Sequence, residues 1–118
     1  MQHCSNVGDS ETRTLIIDEF ELQAYQASFH YAENDIPPLF FARFWHVFEL
    51  FQPFITLPIT LVETQVTQNA PLPKQPHVQA TLTLLEATKI KHFERYRFEM
   101  NVNDVLTVHH TFIKQVKL

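Results

Sequence analysis

Pro38-Leu39-Phe40-Phe41-Ala42-Arg43-Phe44-Trp45-His46-Val47-Phe48-Glu49-Leu50-Phe51-Gln52 is the stretch on which the fold turns. Leu39, Phe40, Phe41, Phe44, Trp45, Val47, Phe48, Leu50 and Phe51 are large and apolar, which leaves Arg43, His46, Glu49 and Gln52 to face water. A helix this apolar around its circumference has to be wrapped on most sides. The chain that follows alternates apolar and polar residues, so the pattern predicts one antiparallel sheet curled around one buried helix, an α+β fold. Pro37 and Pro38 restrict the residues before them, and Pro38 suits a first helical turn. Pro53 is expected to end the helix.

On the N-terminal side, residues 11–17 read as a short strand. Asp18 with Glu21 three positions on has the form of a capping box that opens a helix. That helix would place Phe20, Ala24, Ala27 and Tyr31 on one face and stop between Tyr31 and Asp35. On the C-terminal side, residues 55–68 are rich in β-branched side chains and read as a strand. Residues 69–76 carry three prolines and read as a loop. Val78, Ala80, Leu82 and Leu84 then alternate with polar neighbours, and residues 86–89 suit a turn.

Two more strands follow, with Tyr96, Phe98, Met100 and Val102 in one and Leu106, Val108, His110, Phe112 and Val116 in the other. Both apolar sets are even-numbered. Facing residues of an antiparallel hairpin sum to a constant, so one shared apolar face requires a loop of odd length. A loop at residues 103–105 pairs Val102 with Leu106 and Phe98 with His110. A two-residue turn at Asn103-Asp104 would set Phe98 opposite His109 and split the faces.

At 118 residues the chain fits one domain, read here as residues 11–118 after a flexible leader at 1–10. A net charge of -4, with basic residues interleaved among glutamates, argues against nucleic-acid binding. The longest apolar stretch is interrupted by Arg43 and Glu49 and is too short to span a bilayer, so no membrane partner is expected. Cys4 is the only cysteine and no secretory signal is visible, so the expected compartment is cytoplasmic. Gly8 is the sole glycine, which excludes glycine-rich phosphate loops and dinucleotide fingerprints.

An antiparallel sheet around one long apolar helix, in the order strand, helix, then consecutive long strands, resembles the hot-dog fold. Within that superfamily the chain is similar to the short MaoC-like acyl-thioester hydratases and dehydratases. Their signature runs Asp, any residue, Asn, Pro, any residue, His. Here Asp35-Ile36-Pro37-Pro38-Leu39-Phe40 keeps the Asp and the second Pro in step, with Pro37 at the Asn position and Phe40 at the His position. Phenylalanine cannot accept a proton. The resemblance implies an acyl thioester of coenzyme A or acyl carrier protein as substrate or ligand, with no other cofactor. It implies fatty acid metabolism as the setting and a dimer, homo- or hetero- with another hot-dog subunit, as the assembly. An active member would be a lyase. It leaves open a non-catalytic half that shapes the acyl tunnel, or a hot-dog thioesterase in which Glu49 is the carboxylate. An NTF2-like binding domain is the alternative from another class, disfavoured because the apolar circumference of residues 39–51 leaves little room for a polar pocket.

The candidate catalytic groups are Asp35 with His46 or His30, converging at a tunnel mouth in place of the missing pair, although Asp35 also suits a cap for the aromatic helix. Phe40, Phe41 and Trp45 are candidate tunnel lining, and Glu49 and Glu63 are the further carboxylates. Glu63 would serve as a base only if burial raised its pKa. His109 and His110 are adjacent in a strand and point to opposite faces, so no metal site is expected there. His110 is expected to be a hydrogen-bonded core histidine.

Overall fold

The computed structural model describes residues 7–29 and 35–115. Five strands form one antiparallel sheet in the order β1-β3-β4-β5-β2: β1 Ser10–Ile16, β2 Ile59–Gln68, β3 His77–Ile90, β4 Phe93–Val102 and β5 Leu106–Gln115. One long helical passage, made of several pieces, lies between β1 and β2 and covers the inner face of the sheet. This is the curled α+β arrangement that the aromatic stretch predicts.

The β4–β5 hairpin has the anticipated loop and register, with Val102 opposite Leu106 and Phe98 opposite His110. Asn103 and Asp104 both take positive φ, at 50° and 59°, which short polar side chains tolerate best. Phe98, Met100, Val102, Leu106 and Val108 accordingly share one buried face.

The β3–β4 connection differs from expectation. Residues 86–89 are not a turn, because β3 continues through them to Ile90 and turns at Lys91-His92, with Lys91 at φ 53°. A bulge between Leu84 and Glu86 inserts Leu85 and breaks the simple alternation. A second bulge, between Leu61 and Glu63, inserts Val62 into β2.

The first helix, α1 Glu19–Ser28, opens as read: Asp18 accepts a hydrogen bond from the Glu21 amide at 3.0 Å. Its buried face is different. Leu22 and Gln26 point inward, whereas Phe20 is 83 % exposed. Gln26 can be buried because its Nε2 donates to the Asp35 carbonyl at 2.7 Å. Tyr31, predicted on the same face as Phe20, lies outside the described residues.

The aromatic stretch is not one α-helix. It is wound as a 3₁₀ helix over Pro38–Val47, breaks at Phe48, resumes as 3₁₀ over Glu49–Phe51 and widens into a short α2, Gln52–Ile55. Phe48 is extended, with φ -91° and ψ 129°, and wholly buried. Pro53 falls in the first turn of α2, where its missing amide costs nothing, so it starts a helical piece where it was expected to end one. Phe40, Phe41, Trp45, Phe48, Phe51 and Phe54 are all buried on either side of this break, with Trp45, Phe51 and Phe54 against Phe98 of the sheet, although 3₁₀ runs of this length are uncommon. Leu39 and Val47 remain exposed at 46 % and 36 %.

Candidate functional site

Asp35 is fixed through its backbone. It forms an isolated antiparallel bridge with Pro73, the Ile36 amide donates to the Leu72 carbonyl at 2.8 Å, and Gln26 holds the Asp35 carbonyl. Asp35 is half-buried beside an open groove of about 300 Å³ that it shares with Gln68, Asn69, Ala70 and Pro71. It does not cap the aromatic helix: the 3₁₀ segment starts from Pro37, with no side-chain cap. Two prolines in succession hold the chain extended there, which carries Asp35 away from the first helical amides.

Phe40, in the place of the signature histidine, is completely buried. The Arg43 guanidinium lies 3.9 Å over its ring and 5.6 Å over that of Tyr25, and donates to the Glu21 carboxylate at 3.0 Å. Phe40 therefore joins α1 to the 3₁₀ segment. His46 is exposed, and its carbonyl accepts a hydrogen bond from Gln52 at 2.6 Å. Among the described residues no hydrogen bond or ion pair joins His46 to Asp35. His30 lies outside the described residues.

Trp45 and His110 meet in the centre of the aromatic layer. Their rings are 4.6 Å apart and tilted by 38°, with Phe98 and Phe112 edge-on to Trp45. Both are buried, at 7 % and 3 % exposure. Among the described residues Trp45 Nε1, His110 Nδ1 and His110 Nε2 have no hydrogen-bond partner, contrary to the expectation of a hydrogen-bonded histidine. Register places Phe98 and Thr64 beside His110 on the flanking strands, and on that face its neighbours are mostly aromatic. Each unsatisfied buried group costs about 1–3 kcal/mol. Burial pushes the His110 pKa down to about 4, so the ring is neutral at physiological pH.

Glu49 lies at the Phe48 break and is exposed, its carboxylate 3.7 Å from Arg13. With Glu11, Arg13 and the outer edge of β1 it lines an open polar cleft of about 570 Å³. Glu11 is the member that sequence reasoning missed. Its carboxylate accepts from the Leu50 amide at 2.8 Å and pairs with Arg13, so it caps the helical piece after the break. Partial burial works against its charge, but the hydrogen bonds from Arg13 and from the Leu50 and Glu49 amides outweigh this and hold its pKa below the usual carboxylate range. The only sequence signal was a Glu-x-Arg alternation on one face of β1.

Glu63 is exposed on β2, opposite Thr111 and on the face away from the aromatic layer. Among the described residues no three His, Cys, Asp or Glu side chains converge to hold a metal ion. No described helix is long and apolar enough to cross a membrane.

A five-stranded antiparallel sheet curled over a buried helical passage, with an aromatic wall and a side groove at the start of that passage, is a hot-dog domain. The chain belongs to the VraC family: the family model described as "Uncharacterised conserved protein VraC" matches residues 1–117. Protein VraC of Staphylococcus haemolyticus (strain JCSC1435) is 31% identical over 105 residues, covering 87% of this chain and 82% of the relative. Among solved structures, HtdX of Mycobacterium tuberculosis superposes with a TM-score of 0.74 at 21% identity over 91% of this chain. This chain spans 51% of the length of that HtdX chain. The HadBC complex of the same organism, a 3R-hydroxyacyl-ACP dehydratase, superposes with a TM-score of 0.67 at 11% identity over 91% of this chain and 96% of that one. At these identities the likeness is one of fold.

Proposed function

We propose that this protein is an acyl-thioester-binding hot-dog subunit of the MaoC-like type, acting in cytoplasmic fatty acid metabolism, whose own acid–base pair is lost. One observation carries the reading: Phe40, at the signature histidine position, is buried without exposure and is held by Arg43 and Tyr25 as part of the core. A core phenylalanine cannot activate water at the β-carbon of a thioester. Asp35 keeps its place beside a groove, but no described imidazole is bonded to it. The chain then supplies an apolar wall for the acyl group and pairs with another hot-dog subunit, the same or different. The inner residues of β2 support the pairing, since Leu61 and Val66 lie exposed, at 47 % and 42 %, on a sheet edge.

The test uses crotonyl-coenzyme A. Calorimetry on the purified full chain is expected to show saturable binding, while the absorbance of the conjugated enoyl group stays constant. Turnover that Asp35→Asn abolishes would show that the chain retains chemistry, and absence of any binding would remove the thioester reading.

A further inference from the structure

The sheet ends on a hairpin whose charge is the reverse of the rest of the molecule. Beyond Leu84 none of residues 85–97 is buried. This end holds Lys89, Lys91, Arg95, Arg97 and, on β5 opposite Glu94, Lys114: five cations against two carboxylates, Glu86 and Glu94. The other described residues carry three cations, Arg13, Arg43 and Lys74, against ten carboxylates. A chain of net charge -4 is therefore acidic everywhere but at one tip, and an anionic surface would attract that tip and repel the remainder.

The tip is not neutralised internally. Glu86 engages Arg95 at 2.8 Å and Arg97 at 3.7 Å, and Glu94 engages Lys114 at 3.9 Å. The side chains of Lys89 and Lys91 make no ion pair or hydrogen bond among the described residues. Between them in sequence stands Ile90, directly opposite Phe93, so the two apolar side chains share a face of the sheet. They are 46 % and 45 % exposed, and only the turn at Lys91-His92 lies beyond them.

An apolar pair framed by unpaired lysines suits the headgroup layer of a bilayer, where phosphates meet the cations and the apolar groups lie below them. Two side chains and a turn offer far less than the roughly 800 Å² that a stable protein contact takes from each partner. A lipid surface, by contrast, yields around a small wedge.

We infer that the β3–β4 tip is a docking site for an anionic phospholipid surface, with Ile90 and Phe93 as the wedge and Lys89 and Lys91 as the phosphate contacts. This departs from the expectation of no membrane partner, which rested on spanning length alone; surface attachment needs no spanning segment. It is independent of the thioester reading.

Co-sedimentation of the full-length protein with vesicles tests the inference. The protein is expected to bind vesicles of equal parts phosphatidylglycerol and phosphatidylcholine and to stay free of pure phosphatidylcholine. Lys89→Gln combined with Lys91→Gln should weaken binding about thirtyfold, at about fivefold for each cation removed from such a surface. Lys74→Gln, which removes the same charge from the acidic side, should change it less than about twofold. With Phe93→Trp the emission of the introduced indole should shift to the blue on the mixed vesicles only, against a constant background from buried Trp45. Binding that ignores lipid charge, that survives the two lysine substitutions or that leaves the introduced indole in water would overturn the inference. Absence of vesicle binding, with purified acyl carrier protein bound through the same lysines, would make the tip a contact for an acidic protein and equally overturn it.

Discussion

Strands β5 and β2 are neighbours of the same length, ten residues each, paired over nearly their whole run, yet they live in opposite environments. Four residues of β5 are buried, Leu106, Val108, His110 and Thr111, whereas β2 has none and is exposed everywhere beyond Ile59. Their sequences do not predict this contrast, since β2 carries Ile59, Leu61, Val62 and Val66. Cover makes the difference: the aromatic passage lies over β5 and leaves β2 bare. Burial in this domain therefore follows from where the helical pieces reach more than from the composition of a strand, and a bare apolar edge is a feature that native proteins usually cover or blunt.

The strongest way to break the contrast is to damage the covered side. Phe98 is fully buried and meets the rings of Trp45, Phe51, Phe54 and Phe112. Phe98→Ala is expected to cost about 3–5 kcal/mol in urea denaturation. A loss below about 1 kcal/mol would mean that the layer is loosely packed.

A smaller effect is expected at His110, the polar residue of the covered side. Its folded pKa of about 4 lies below the ordinary value of 6.5, so between these limits the unfolded chain takes up a proton at this ring and the folded chain does not. Stability should fall as the pH drops through that window. His110→Phe has nothing to protonate there: it should gain about 1 kcal/mol near neutrality by removing unsatisfied groups, and its advantage should widen toward acid. Carboxylates titrate alike in both proteins, so the difference between their urea midpoints isolates this ring. An advantage that stays flat with pH would show that the histidine is solvated.

The mildest change belongs to the bare side. Leu61→Lys combined with Val66→Lys should alter monomer stability by no more than about 0.5 kcal/mol per site, because both side chains already face solvent. Light scattering should nevertheless show loss of the dimer expected through this edge. A dimer that survives both lysines would place the interface elsewhere.

Much of the fold was legible because period-two patterns and loop parity are strict. The even numbering of Phe98 to Val102 and Leu106 to His110 admits one hairpin register, and the structure has it. Asp18 and Glu21 gave the start of α1 for an equally local reason. Bulges were illegible, since Leu85 and Val62 are ordinary strand residues whose displacement depends on neighbouring strands. The winding of the aromatic stretch was hidden by its own composition: when nearly every position is apolar, no periodicity remains to separate a continuous α-helix from 3₁₀ pieces broken at Phe48. The inward side of α1 went unread because Gln26, a polar residue, is buried to hold a backbone carbonyl nine residues away.

The candidate site was legible only as a motif. Asp35 to Phe40 could be aligned with a signature, and the burial of Phe40 gave that alignment its meaning. The Trp45 and His110 contact depends on two segments far apart in sequence and could not be read from either.

Asn103, at the tip of the β4–β5 loop, bonds both ways to Gln79 of β3: its amide donates to the Gln79 carbonyl at 2.9 Å and its side-chain oxygen accepts from the Gln79 amide at 2.9 Å. Gln79 is at the same time opposite Thr14 of β1. One asparagine thus stitches three strands at a single end of the sheet, and that end cannot change length without unfastening all of them. Changes in length are more easily accommodated at the other end, around Lys91-His92, where the two tip residues make no ladder pair among the described residues.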